Sequence, residues 1–183
     1  MPNNPARVAI FCGSGCAKIR QPYYFDIAYQ TGKALAQAGF VVITGAGPGL
    51  MDEALRGAHE AGGETIGVAL NMDGRKRSQS AGTVFAYDTL GPRQAKIMEL
   101  ADAFVALPGG IGTLYELTEV LALKRVNELP HRKPLVLLGD YYQHLIKVFD
   151  DMITEGFADE SLQELFHLAK EPADAATYIQ KNL

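Results

Sequence analysis

Short apolar runs recur along this chain, separated by amphipathic stretches, and that alternation leaves few folds open to it. Val8–Cys12, Val41–Thr44, Ala103–Leu107 and Pro134–Leu138 are apolar at nearly every position. Runs this short and this uniform read as strands buried on both faces, since a half-exposed strand would alternate apolar with polar. Helical stretches fill the intervals: Pro22–Ala38 with its proline near the start, Leu50–Ala61 stopped by Gly62-Gly63, Pro92–Ala101, Thr113–Arg125, and one from Tyr141 to about Glu155. Glu64–Ala69 and Thr83–Ala86 read as shorter strands on either side of a polar loop, Asn71–Gly82. The tail adds Glu160–Phe166, a short strand around His167–Ala169 and a last helix from Pro172.

Buried strands alternating with helices predict an α/β fold, a Rossmann-like three-layer α/β/α arrangement around a mostly parallel sheet. No repeat, linker or low-complexity segment divides the 183 residues, so a single nucleotide-binding domain over 1–183 is expected. Hydrophobic residues make up 48% and charged residues 21%, a globular mix that excludes disorder. Seventeen basic against twenty-one acidic side chains leave a charge of −4, which gives nucleic acid or an anionic membrane no electrostatic hold. No apolar run approaches the roughly 20 residues of a membrane span. Met1–Pro5 lacks the charged and apolar regions of a leader, so a cytoplasmic protein is expected. Cys12, Cys16 and four scattered histidines make neither a disulfide framework nor a metal site, and reduced thiols are expected.

Three glycine clusters follow three of the strands: Gly13-Ser14-Gly15, Gly45-Ala46-Gly47-Pro48-Gly49 and Gly109-Gly110-Ile111-Gly112. In a parallel sheet, ligands bind beyond the carboxyl ends of the strands, where strand order switches. Glycines there let backbone N–H groups approach a ligand, and the helix that follows favours an anion. A phosphate-bearing ligand is the expectation. A Walker loop is excluded because Thr113-Leu114, not a lysine, follows Gly112. A dinucleotide fingerprint is excluded by the spacing in the first two clusters and by Val68-Ala69-Leu70-Asn71, which ends its strand without an acid.

The most specific stretch is Leu107-Pro108-Gly109-Gly110-Ile111-Gly112-Thr113-Leu114-Tyr115-Glu116. Thr113-x-x-Glu116 has the spacing of a capping box, in which threonine and glutamate satisfy each other's backbone N–H groups. The whole stretch also resembles the P-G-G-x-G-T-x-x-E signature of the Lonely Guy family of nucleotide phosphoribohydrolases, once labelled lysine-decarboxylase-like. Phe11-Cys12-Gly13-Ser14, the segment from Gly45 to Met51 with Glu53-Ala54 and Arg56-Gly57-Ala58 after it, and Arg93 ahead of Ala101-Asp102-Ala103-Phe104 agree with that family.

The resemblance implies hydrolysis of a nucleoside 5′-monophosphate, a cytokinin riboside 5′-monophosphate or an AMP-like nucleotide, to free base and ribose 5-phosphate. It implies no metal and no cofactor. By resemblance, Arg93 and Glu116 are the catalytic pair; Gly109, Gly110, Gly112 and Thr113 hold the 5′-phosphate. Gly13, Ser14 and the turn bearing Gly45, Gly47, Gly49 and Met51 line the nucleotide pocket. Gln94 stands where the family commonly has lysine, Leu90-Gly91-Pro92 replaces a common histidine-glutamate pair, and Ala46 replaces a glycine. These departures bear on substrate choice.

Chain reversal is expected to bring the helix starts bearing Arg93 and Glu116 to the two ends of Ala103–Leu107, unless a loop or a partner subunit returns Arg93 to the site. The resemblance, together with the apolar residues Leu114, Leu117, Val120 and Leu121, predicts a homodimer or larger homo-oligomer. The alternative to an enzyme is a carrier of the same fold, holding a nucleotide or a molybdenum cofactor without turnover. Pyridoxal-dependent decarboxylation would need a lysine that the glycine turns lack.

Overall fold

The computed structural model describes residues 4–74 and 76–183; Met1 to Asn3 of the N-terminal stretch and Arg75 of the polar loop lie outside it. β1 (Arg7–Phe11), β2 (Val41–Thr44), β3 (Thr65–Leu70), β4 (Thr83–Tyr87), β5 (Ala103–Ala106), β6 (Leu135–Leu138) and β7 (His167–Ala169) form one seven-stranded sheet. Every adjacent pair is parallel. The chain returns between strands through α1 (Gln21–Gln37), α2 (Leu50–Glu60), α3 (Leu90–Leu100), α4 (Ile111–Arg125) and α5 (Gln143–Thr154), and ends in α6 (Pro172–Asn182). Glu160–Leu165 forms a 3₁₀ turn.

Strand order is β4-β3-β2-β1-β5-β6-β7. The chain winds outward from β1 to β4, then crosses back to lay β5 on the other side of β1. That reversal opens a crevice between the carboxyl ends of β1 and β5, paired in register as Phe11 with Ala106. Successive residues of the central strands serve two cores. Val8, Ile10, Val105 and Leu107 pack with Ala28, Leu35, Leu55 and Ile179 on one face. Ala9, Phe11, Phe104 and Ala106 pack with Ile97, Leu117, Val120 and Phe149 on the other. This is why the strand sequences show no polar alternation.

The second core also absorbs the apolar side of α4: Leu117, Val120 and Leu121 are buried in it and Leu114 packs against it. These residues therefore need no second subunit to cover them, contrary to the expectation from sequence. Among the described residues no helix is long and apolar enough to cross a membrane. Cys12 and Cys16 are free thiols.

Candidate functional site

A helix that returns from a strand must begin at the edge where that strand ends. In a wholly parallel sheet β4 and β5 end on the same edge, so α3 and α4 both start there. Arg93, in the first turns of α3, and Glu116, in the second turn of α4, consequently meet at one edge and not at the two ends of β5. Neither a loop nor a partner subunit is needed to bring them together.

They meet closely. Arg93 Nη1 donates to Glu116 Oε1 at 2.6 Å, and both residues are only 8% exposed. Arg93 Nε donates to the Val68 carbonyl of β3 at 3.0 Å, and Nη1 also reaches Gln94 Oε1 at 3.2 Å. Burial raises the Glu116 carboxyl above its ordinary pKa, and the Arg93 charge and hydrogen bond offset part of that rise. Cys12 sits against the same pair; burial, and secondarily the Glu116 charge, raises its thiol well above the usual value. It is an unreactive thiol in this setting.

The capping-box reading of Thr113 and Glu116 does not hold. α4 begins two residues earlier than the sequence spacing indicates, at Ile111, with Gly110 at the N-cap and no side-chain cap. Thr113 is thus already in the first turn, and Glu116 is turned to Arg93. The helix's own ladder begins with Leu114 N–H donating to Gly110 O. The amides of Ile111, Gly112 and Thr113 therefore point out of the helix toward the crevice, where the positive end of the helix dipole adds to them.

The glycine turns divide into two roles. A cleft of about 330 Å³ is lined by Gly13, Ser14, Gly45, Gly47, Met51, Arg93, Gly110, Gly112, Thr113 and Glu116. Gly49 and Gly109 do not line it; Gly49 lets backbones touch behind it and Gly109 makes room for the Thr113 side chain. A Cβ on Gly49, which holds φ +73, would fall 2.5 Å from the Ser14 carbonyl, and one on Gly109 would fall 2.1 Å from Thr113 Oγ1. Gly45 has a further duty, because a Cβ there would lie 2.2 Å from Arg93 Nη2. Ala46, with φ +49 and fully buried, holds the left-handed conformation a glycine would adopt freely, at a strain of about 1 kcal/mol.

Sequence reasoning missed several residues of the cleft. Lys76 and Arg77 of the β3–β4 loop supply cations at its rim, and Leu70, Leu90 and Ile111 supply apolar wall. Arg77 donates to Asn71, whose side-chain amide in turn donates to Asp88 Oδ1 at 2.6 Å, and Ser78 N–H donates to the Ala46 carbonyl at 2.9 Å. The signal for these residues was the basic run in a loop leaving the carboxyl end of β3, the edge where ligands bind.

A family profile described as "Possible lysine decarboxylase" matches residues 51–179. The probable cytokinin riboside 5′-monophosphate phosphoribohydrolase LOGL9 of Oryza sativa subsp. japonica is 36% identical over 180 residues, which covers 96% of this chain and 76% of that protein. The cytokinin riboside 5′-monophosphate phosphoribohydrolase LOG5 of Arabidopsis thaliana is 34% identical over 165 residues, covering 87% and 71%. Among solved structures, the molybdenum cofactor binding protein from Rippkaea orientalis matches with a TM-score of 0.74 at 24% identity, covering 98% of each chain. The Moco carrier protein from Chlamydomonas reinhardtii matches at 0.73 and 24%, again over 98% of each. At such identities these two structures speak for the fold alone. The profile spans most of the chain and the plant sequences nearly all of it, so the chain belongs to the Lonely Guy family of nucleotide phosphoribohydrolases.

Proposed function

We propose that this chain hydrolyses the N-glycosidic bond of a nucleoside 5′-monophosphate carrying a purine-type base, a cytokinin riboside 5′-monophosphate or AMP. The observation that carries the reading is the buried Arg93–Glu116 pair facing a cleft whose other wall is the uncapped start of α4. The 5′-phosphate sits on the amides of Ile111, Gly112 and Thr113, as anions do at helix N-termini. Arg93, whose Nε and Nη1 are bonded within the protein, offers Nη2 to ribose or phosphate oxygens from a fixed position. As the C1′–N bond breaks, the electron pair leaves with the base and positive charge builds on the sugar. Glu116 stabilises that charge and orients the water whose oxygen bonds to C1′; the proton which that water gives up goes to the departing nitrogen, so the base leaves neutral. The apolar wall of Leu70, Leu90 and Ile111 takes the base.

The test is incubation with a panel of nucleoside monophosphates, following free base and ribose 5-phosphate by chromatography. Stoichiometric release of both from at least one member is expected. Tight binding without release from any member would replace hydrolysis by the carrier reading. A homodimer also belongs to this proposal: Tyr115 on α4 and Val126 at its C-cap are exposed apolar side chains. Light scattering should then return about twice the chain's 19.8 kDa, and a monomer's mass would remove the dimer.

A further inference from the structure

Arg93 is held from behind as well as from the cleft. Gln94 is fully buried, and its oxygen accepts from Arg93 Nη1 at 3.2 Å. With the oxygen so engaged, the amide NH₂ faces away from Arg93; α4, which carries Glu116, continues past it. There stands Glu119, one helical turn beyond Glu116. Gln94 Nε2 and Glu119 Oε2 are both buried atoms with no hydrogen bond of ordinary length. The amide nonetheless lies near enough to favour the ionised form of Glu119 against the burial that disfavours it. One is a donor lacking an acceptor and the other an acceptor lacking a donor, and buried groups of that kind are rarely left so.

We infer that Glu119 is a positioning residue for the proposed hydrolysis, acting on Arg93 through the amide of Gln94. The polarity of the chain allows one arrangement only. The Glu119 carboxylate accepts from the Gln94 NH₂, the Gln94 oxygen accepts from Arg93, and Arg93 donates to Glu116. Turning the amide over would set its NH₂ against the guanidinium and its oxygen against the Glu119 carboxylate, donor on donor and acceptor on acceptor. Glu119 thereby fixes the amide, and the amide fixes the angle at which Arg93 meets Glu116 and the cleft. A side chain that never touches the substrate sets the geometry of one that does.

The inference rests on the proposed hydrolysis, and two readouts separate its failure from that of the parent reading. The first is turnover in Gln94→Leu, Glu119→Leu, the double variant and Glu119→Gln. Each leucine variant should lose about tenfold or more in kcat, the scale of a misoriented catalytic group. The double variant should lose no more than the worse single one, and Glu119→Gln, whose side-chain oxygen still accepts, should recover most of the activity. Losses that multiply in the double variant, or a Glu119→Gln as poor as Glu119→Leu, would overturn the inference. The second readout needs no substrate: the Arg93 Nε–H resonance, fixed by its bond to Val68 O, recorded by ¹H–¹⁵N NMR. It should shift or broaden in both leucine variants and return in Glu119→Gln; an unchanged signal in Glu119→Leu would overturn the inference even if wild-type protein cleaved nothing. Gln94→Met serves in place of Gln94→Leu should the latter not fold.

Discussion

Arg93 explains why Glu116 is a poor candidate for a mere cap. A buried guanidinium without a counter-charge is costly, and Glu116 is the carboxylate that meets it. Glu116→Gln keeps an acceptor but removes the charge, so the protein should lose about 1–3 kcal/mol, against about 1 kcal/mol for a typical helix cap. Turnover should fall roughly 100-fold or more. A folded Glu116→Gln protein with wild-type turnover would return the residue to a structural role. Arg93→Ala has a signature in pH. In the folded protein the Glu116 pKa is already raised by burial, and it rises further once Arg93 is gone. Between the unfolded and folded pKa values the native state then binds more protons than the unfolded one, so stability falls as pH rises through that window. Thermal melts from pH 4 to pH 8 should therefore separate Arg93→Ala from wild type more widely at the upper end, by about 3–5 kcal/mol where Glu116 is ionised. Parallel curves would mean that Glu116 does not depend on Arg93.

At the scale of the element, α4 begins in uncapped amides at the cleft and is tethered at its far end. Gly112 lies in its first turn, and a Cβ there would meet no atom within 4 Å. Gly112→Asp should consequently fold well, and gain about 0.3 kcal/mol from leaving glycine plus a few tenths or more from a carboxylate at the helix N-terminus. The same carboxylate would occupy the phosphate's position. A more stable protein with KM raised at least tenfold is expected from melts and initial rates, whereas unchanged KM would place the phosphate elsewhere. At the far end, Lys124 is 2% exposed and donates to the Leu165 carbonyl at 2.9 Å. Burial lowers its pKa to about 8. From there up to the unfolded value near 10.4 the unfolded chain binds the extra proton, so stability should rise with pH in wild type. In Lys124→Met that rise should be missing, and identical slopes above pH 8 would count against the assignment.

For the whole molecule, what could be read from sequence follows from which features are local. The strands were legible because two cores demand apolar residues at every central position, and the glycine turns because strand ends in a parallel sheet share one edge. Arg93 and Glu116 could be named from the resemblance, but their meeting could not: it depends on β4 and β5 ending on one edge, a consequence of every strand pair in the sheet being parallel. Glu116 was ambiguous because three-residue spacing fits both a capping box and a helix that starts at Ile111. Lys76, Arg77 and Glu119 were hidden in a polar loop and on a half-buried helix face, where charged residues carry no periodic signal. The site's parts converge from β1, β2, β3, α3 and α4, so a ligand filling it should stabilise the fold as a unit. At a hundredfold excess over Kd, binding contributes about 2.7 kcal/mol, or about 5–10 °C in Tm for a domain of this size. Glu116→Gln protein, which should leave the nucleotide intact, is the form to melt. If the start of α4 holds the 5′-phosphate, AMP and ribose 5-phosphate should each raise Tm and adenosine should do so only weakly. In Gly112→Asp the shifts with the two phosphate esters should collapse to that of adenosine. Equal shifts from AMP and adenosine would separate the phosphate from α4 and leave the uncapped helix without its ligand.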